Sequence, residues 1–172
     1  MKARFFIIMG VSGSGKTAVG WALAQNLGWE FFDGDDFHPP ANIAKMAQGI
    51  PLIDEERGPW LAALHDLIAS RIAQKKPGVL ACSALKERYR QTLLAGIARV
   101  QIVYLKGSYD LILSRMVQRS GHYMKPQMLK SQFDALEEPT YALTVDVALP
   151  IAEIVEKIKE YPGKPGYSTT TI

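Results

Sequence analysis

The eight residues from Gly10 to Thr17, GVSGSGKT, constrain this chain more than any other stretch. They match G-x-x-x-x-G-K-[ST] and lie between an apolar run, Phe5–Met9, and a segment that reads as a helix from Lys16. With glycine at about 7% of residues, a chance match in so short a chain has odds on the order of one in a hundred. Glycines let the backbone wrap closely around phosphate and aim N–H donors at it from a helix N-terminus. Gly10, Ser12, Gly13, Ser14 and Gly15 would form that cradle. Lys16 would contact the β and γ phosphates, and Thr17 would ligate magnesium.

A rival pattern shares these letters. Gly13-Ser14-Gly15-Lys16-Thr17-Ala18 fits the dinucleotide fingerprint G-x-G-x-x-G/A, with Asp33 about 20 residues on. That fingerprint makes no use of Gly10, Lys16 or Thr17, whereas the phosphate loop requires all three, so the oxidoreductase reading stays as the weaker alternative. A hydrolase elbow, G-x-S-x-G, fails because Ser14 occupies its last glycine position.

Apolar runs alternate with helical patterns along the rest of the chain. Strands are expected near Phe5–Met9, Glu30–Phe32, Val79–Cys82, Gln101–Leu105 and Ala142–Val147. Five strands with helices between them imply an α/β fold, a parallel sheet covered on both faces. Trp60, Leu61, Leu64, Leu67, Ile68 and Ile72 recur at helical spacing, as do Ile151, Ile154, Val155 and Ile158. Pro59 suits a first helical turn, and Gly28 sits where a helix from Lys16 needs its C-terminal cap. Residues 162–172, PGKPGYSTTTI, lose apolar periodicity and read as a mobile tail after a single domain, 1–161.

The segment EFFDGDDFHPP, Glu30–Pro40, holds Asp33, Asp35 and Asp36 behind a short aromatic strand. An Asp-Gly turn needs no function. A calcium loop starting at Asp33 would want an oxygen ligand at 37, glycine at 38 and Glu at 44, where the chain has Phe37, His38 and Ala44. If the strand edge brings the aspartates to the γ-phosphate, one carboxylate can serve magnesium and another an acceptor hydroxyl. Alternation along an extended segment would point Asp33 and Asp35 the same way and Asp36 the other, giving Asp33 to magnesium and Asp35 to the acceptor. His38, His65 and His122 lack metal-ligand spacing.

Composition narrows the partners. The 172 residues are 48% hydrophobic and 22% charged, enough for one domain with a sizeable core. A net charge of +3 is too small to argue for nucleic acid and suits a polyanionic small molecule. A single cysteine, Cys82, excludes a disulfide framework and points to a reducing cytoplasm. Lys2 and Arg4 before Phe5–Met9 imitate a signal peptide, but polar residues follow at once, and no apolar run nears the roughly 18 residues that cross a membrane.

The blocks GVSGSGKT, DGDDFHPPANIAKMAQGIPLIDEERGPWL, CSALKERYR, YLKG and GHYMKPQMLKSQFDALEEP resemble the gluconokinase pattern in order and spacing over about residues 5–158. That family stands among the small P-loop kinases with shikimate kinase and adenylate kinase. Glu56 and Tyr123 are conservative departures, where Asp and Phe are expected. The resemblance implies MgATP-dependent phosphorylation of D-gluconate to 6-phosphogluconate, a cytoplasmic homodimer, and a sheet in the order 2-3-1-4-5 with a short lid about 119–130. Another small acceptor, such as shikimate or a nucleotide, is the runner-up. Gluconate is an anion with several hydroxyls, so Arg57, Lys86 and Arg90 are candidate bases for it, with His38 and Ser83 as polar partners. Each base also has a bland reading as a solvated helix-face charge. By the same resemblance, Arg115 would lie against adenine and Arg119, one helical turn on, would neutralise the transferring phosphoryl group.

Overall fold

The computed structural model describes residues 4–119 and 126–162. Most of the expected lid interior, with Tyr123 and His122, and the tail from residue 163 lie outside the described residues. Five strands, β1 (Phe5–Met9), β2 (Glu30–Asp33), β3 (Gly78–Ala81), β4 (Val100–Lys106) and β5 (Leu143–Asp146), form one sheet in the order β2-β3-β1-β4-β5. Every pairing is parallel. Among the described residues seven α-helices accompany them: α1 (Lys16–Leu27), α2 (Pro40–Ala47), α3 (Asp54–Ala73), α4 (Glu87–Leu94), α5 (Tyr109–Gln118), α6 (Pro126–Ala135) and α7 (Ile151–Glu160). No described helix is long and apolar enough to cross a membrane.

Strand alternation divides the core into two layers. Phe5, Ile7 and Met9 of β1 and Ile102 and Tyr104 of β4 pack with Trp60, Leu64 and Ile68 of α3 and Leu93 of α4. On the other face Ile8, Val103 and Leu105 meet Val19 and Leu23 of α1 and Ile154, Val155 and Ile158 of α7. Both expected helical stripes are therefore core, except that Ile151 is exposed. Gly28 closes α1 by donating its N–H to the Ala24 and Gln25 carbonyls.

Pro59 corrects an expectation. It lies inside α3 rather than in its first turn, because the helix already starts at Asp54. The Glu56 carboxylate accepts the Ile53 N–H at 2.8 Å, satisfying an orphan donor upstream of the proline. An imino nitrogen at Pro59 then removes a single bond near the helix start.

Candidate active site

All parallel strands end on one edge of the sheet, where a cleft of about 1230 Å³ opens over β1, β2 and β3. Its floor is the loop between β1 and α1. Gly15 has φ 95° with nothing near a built Cβ, so its left-handed backbone, rather than crowding, is what calls for glycine. The first turn of α1 carries neither an acidic residue nor a side-chain cap. Its N–H groups are thereby left to an anion. Ser12, Gly13, Gly15, Lys16 and Thr17 line the cleft. Gly10 and Ser14 are not part of that lining. Ser14 is buried, and a Cβ on Gly10 would meet its Oγ at 2.7 Å, so these two frame the loop from within. Lys16 Nζ donates to the Val11 carbonyl at 2.9 Å. Burial pulls its pKa below the ordinary lysine value, against the opposing pull of Asp35, Cys82 and Asp33.

The aspartates stand at the end of β2, but not on extended backbone. Gly34–Phe37 is a 3-10 turn, capped by Asp33, whose Oδ1 accepts the Asp35 N–H at 3.0 Å. The expected alternation therefore does not apply, because the Asp33 cap folds the chain immediately. Both Asp33 and Asp35 nevertheless line the cleft, and Asp36, exposed to solvent, does not. A Cβ on Gly34 would stand 2.7 Å from the Ala81 carbonyl, so only glycine lets this turn pass so close to β3. Trp60 Nε1 donates to the Gly34 carbonyl at 2.7 Å and fixes the turn from below. The Asp35 carboxylate opens to the cleft, yet surrounding protein raises its pKa, with Asp33 adding to the rise and Lys16 opposing it.

Thr17 Oγ1 donates to Asp33 Oδ2 at 3.2 Å. A hydroxyl and a carboxylate so close offer hard oxygen donors, which fit magnesium. Among the described residues no group of three or more His, Cys, Asp or Glu side chains could hold a metal.

At the other end of the cleft His38 stacks on Trp60, ring centroids 4.2 Å apart. Burial, helped by Arg57, pushes its pKa down to about 4, so the ring is neutral near pH 7. Its Nδ1 lies 3.5 Å from Asn42 Nδ2, and accepting from that amide assigns the remaining proton to Nε2. Arg57 projects from α3 with its guanidinium 5.5 Å from the Tyr89 ring centroid. Its Nε is buried with no hydrogen-bond partner among the described residues. Lys86 Nζ lies 3.4 Å from Asp54 Oδ1. Asp54 also takes the Arg88 guanidinium and the Tyr89 hydroxyl. His38, Arg57, Ser83, Lys86 and Arg119 all line the cleft.

Comparison with known proteins places this arrangement. Residues 5–140 match the family described as an AAA domain. The thermosensitive gluconokinase of Escherichia coli is 45% identical over 164 residues, covering 93% of this chain and 88% of the relative. The chain belongs to the gluconokinase family. A probable gluconokinase of Mus musculus is 44% identical, covering 89% of this chain and 96% of its own. The solved gluconokinase of Sinorhizobium meliloti shares 44% identity at a TM-score of 0.81, covering 91% of this chain and 90% of that one.

Besides Gly10 and Ser14, the expected site residues Arg90 and Arg115 do not stand in this gluconokinase cleft. Arg90 is 1% exposed, and its guanidinium donates to Ala84 O, Leu85 O, Glu87, Tyr141 and Glu137 O. Five N–H groups so engaged leave none for a ligand, so Arg90 braces the backbone beside Lys86. Arg115, half-buried on α5, is not among the residues lining the cleft. Conversely Asp54, Tyr89 and Gln132 line it, although sequence reasoning passed over them. An acidic residue opening a helix, an apolar-face tyrosine and a helical glutamine carry no distinguishing pattern in sequence.

Proposed function

We propose that this gluconokinase family member transfers the γ-phosphoryl group of ATP to a hydroxyl of D-gluconate, giving ADP and 6-phosphogluconate. The supporting observation is one cleft with two unlike ends. One end has Lys16 and the uncapped start of α1, built for phosphates. The other has Arg57, whose buried Nε has no partner among the described residues, beside neutral His38 and Ser83, suited to a hydroxylated carboxylate.

Lys16 lies against the β and γ phosphates and offsets charge gained by the leaving ADP. Asp35, between Lys16 and the acceptor end, orients the substrate hydroxyl and takes its proton as the oxygen attacks phosphorus and the bond to the β-phosphate oxygen breaks. Its raised pKa brings it nearer the operating range of a base. Arg119 balances charge on the phosphoryl group in flight. Thr17 and Asp33 would hold magnesium, which would supply charge neutralisation for the phosphates when bound. Arg57 grips the gluconate carboxylate, while His38, Ser83 and Lys86 meet hydroxyls. A lid about residues 119–130 and a homodimer belong to the same proposal and rest on the resemblance, a cytoplasmic location on the resemblance and the single Cys82, the absence of nucleic-acid binding on the small net charge, and a C-terminal tail without catalytic work on its lost apolar periodicity.

A coupled ADP-release assay over gluconate, related sugar acids, shikimate and nucleoside monophosphates tests the reading. Turnover with gluconate well above the rest is expected. Turnover with nucleoside monophosphates alone would overturn it.

A further inference from the structure

Ser12, in the phosphate loop, donates its backbone N–H to Gln132 Oε1 on α6, far along the chain. The chain just beyond the end of the same helix is tied to the acceptor side. Glu137 N–H donates to Leu85 O at 2.9 Å, Glu87 N–H to Glu137 Oε2 at 2.7 Å, and Arg90 Nη2 to Glu137 O at 2.9 Å. These bonds hold the stretch from Ala84 to Glu87, which carries Lys86 and follows Ser83. Between the two ends, Leu129 of α6 is fully buried in one apolar cluster with Val11 of the phosphate loop and Leu85 of the acceptor stretch. One packed helix thus touches both halves of the cleft, and close packing transmits displacement rather than absorbing it.

We propose that Gln132 is a positioning residue for phosphoryl transfer: it pins the Ser12 peptide to α6, which acts as a strut setting the nucleotide's phosphates at a fixed distance from the acceptor. This rests on the kinase reading above. A neutral amide suits the place. Its oxygen accepts from the loop without adding negative charge beside three phosphates, which a carboxylate would do. Misplacement of reacting groups by about 1 Å can cost about 100-fold in rate, and it also lets water compete for the phosphoryl group.

The test compares Gln132→Met, similar in length but without the acceptor, Gln132→Asn, which withdraws it, and Gln132→Glu, which keeps it and adds charge. For each full-length variant, phosphogluconate formation and inorganic phosphate release from MgATP are measured with the thermal midpoint. Gln132→Met and Gln132→Asn should lose roughly 10- to 100-fold in kcat and shift partition towards inorganic phosphate, at a midpoint close to that of the parent. Gln132→Glu should keep the parent's partition and most of kcat while raising the KM for ATP. Parent-like kcat and partition in Gln132→Met or Gln132→Asn would overturn the role, as would Gln132→Glu failing in the same way as Gln132→Met. A parent protein that phosphorylates no sugar acid would instead overturn the functional reading beneath it.

Discussion

Thr17 Oγ1 stands 3.2 Å from Asp33 Oδ2, although β3 lies between β1 and β2 in the sheet. The contact exists because α1 crosses over β3 after the phosphate loop, bringing its first turn to the edge where β2 ends. The helix that follows β1 and the end of the non-adjacent β2 thereby share one corner of the cleft. Asp33→Asn should raise the magnesium concentration needed for half-maximal rate by about tenfold or more, since a charge-assisted contact becomes a neutral one. Initial rates against magnesium at saturating ATP check this.

Asp35 differs from its neighbour in what it gives up. Asp35→Asn keeps shape but removes the proposed proton acceptor, so kcat should fall about 10²- to 10⁴-fold while MgATP binding changes little. Asp36→Asn should do comparatively little, because Asp36 is outside the cleft lining. The raised pKa of Asp35 adds a pH signature. A base must be ionised, so kcat should fall as pH drops through that raised value, higher than for an ordinary carboxylate. A kcat profile against pH checks the limb, which Asp35→Asn should lack.

Arg57→Gln removes the cation whose buried Nε has no partner among the described residues. The gluconate KM should rise about 10- to 100-fold with the ATP KM nearly unchanged, as expected when a charged hydrogen-bond partner is lost at one end of a two-ended site. Steady-state kinetics in both substrates separates this from a general loss of fold.

His38 predicts a stability trend. Its folded pKa, about 4, lies below the ordinary 6.5, so between those values the unfolded chain takes up a proton that the folded chain refuses. The contribution is complete above pH 6.5 and is lost as pH falls through 4. Urea unfolding from pH 7 to 4 should show that decline, and His38→Asn should flatten it.

The sheet was legible in the sequence because each strand is a short apolar run bounded by breakers, and the phosphate loop because its glycines and lysine have local jobs. The acidic segment was half legible. Its composition pointed to Asp33 and Asp35, which line the cleft, but Asp33 caps a 3-10 turn, a hydrogen bond that periodicity does not encode. Pro59 misled because the event that starts α3 is the Glu56 side chain reaching back to Ile53, upstream of the proline. Arg90 and Gln132 escaped for one reason. Arg90 is buried against the Glu137 carbonyl and Gln132 bonds to Ser12, and contacts so distant along the chain leave no trace in local pattern.

The central claim is transfer of the γ-phosphoryl group to gluconate itself, and phosphorus NMR of the protein with MgATP and gluconate tests it most directly. The account predicts one new phosphomonoester signal, coupled to the two protons of the terminal carbon and growing in step with ADP. ATP consumed to inorganic phosphate, or left untouched while another acceptor is phosphorylated, would contradict it.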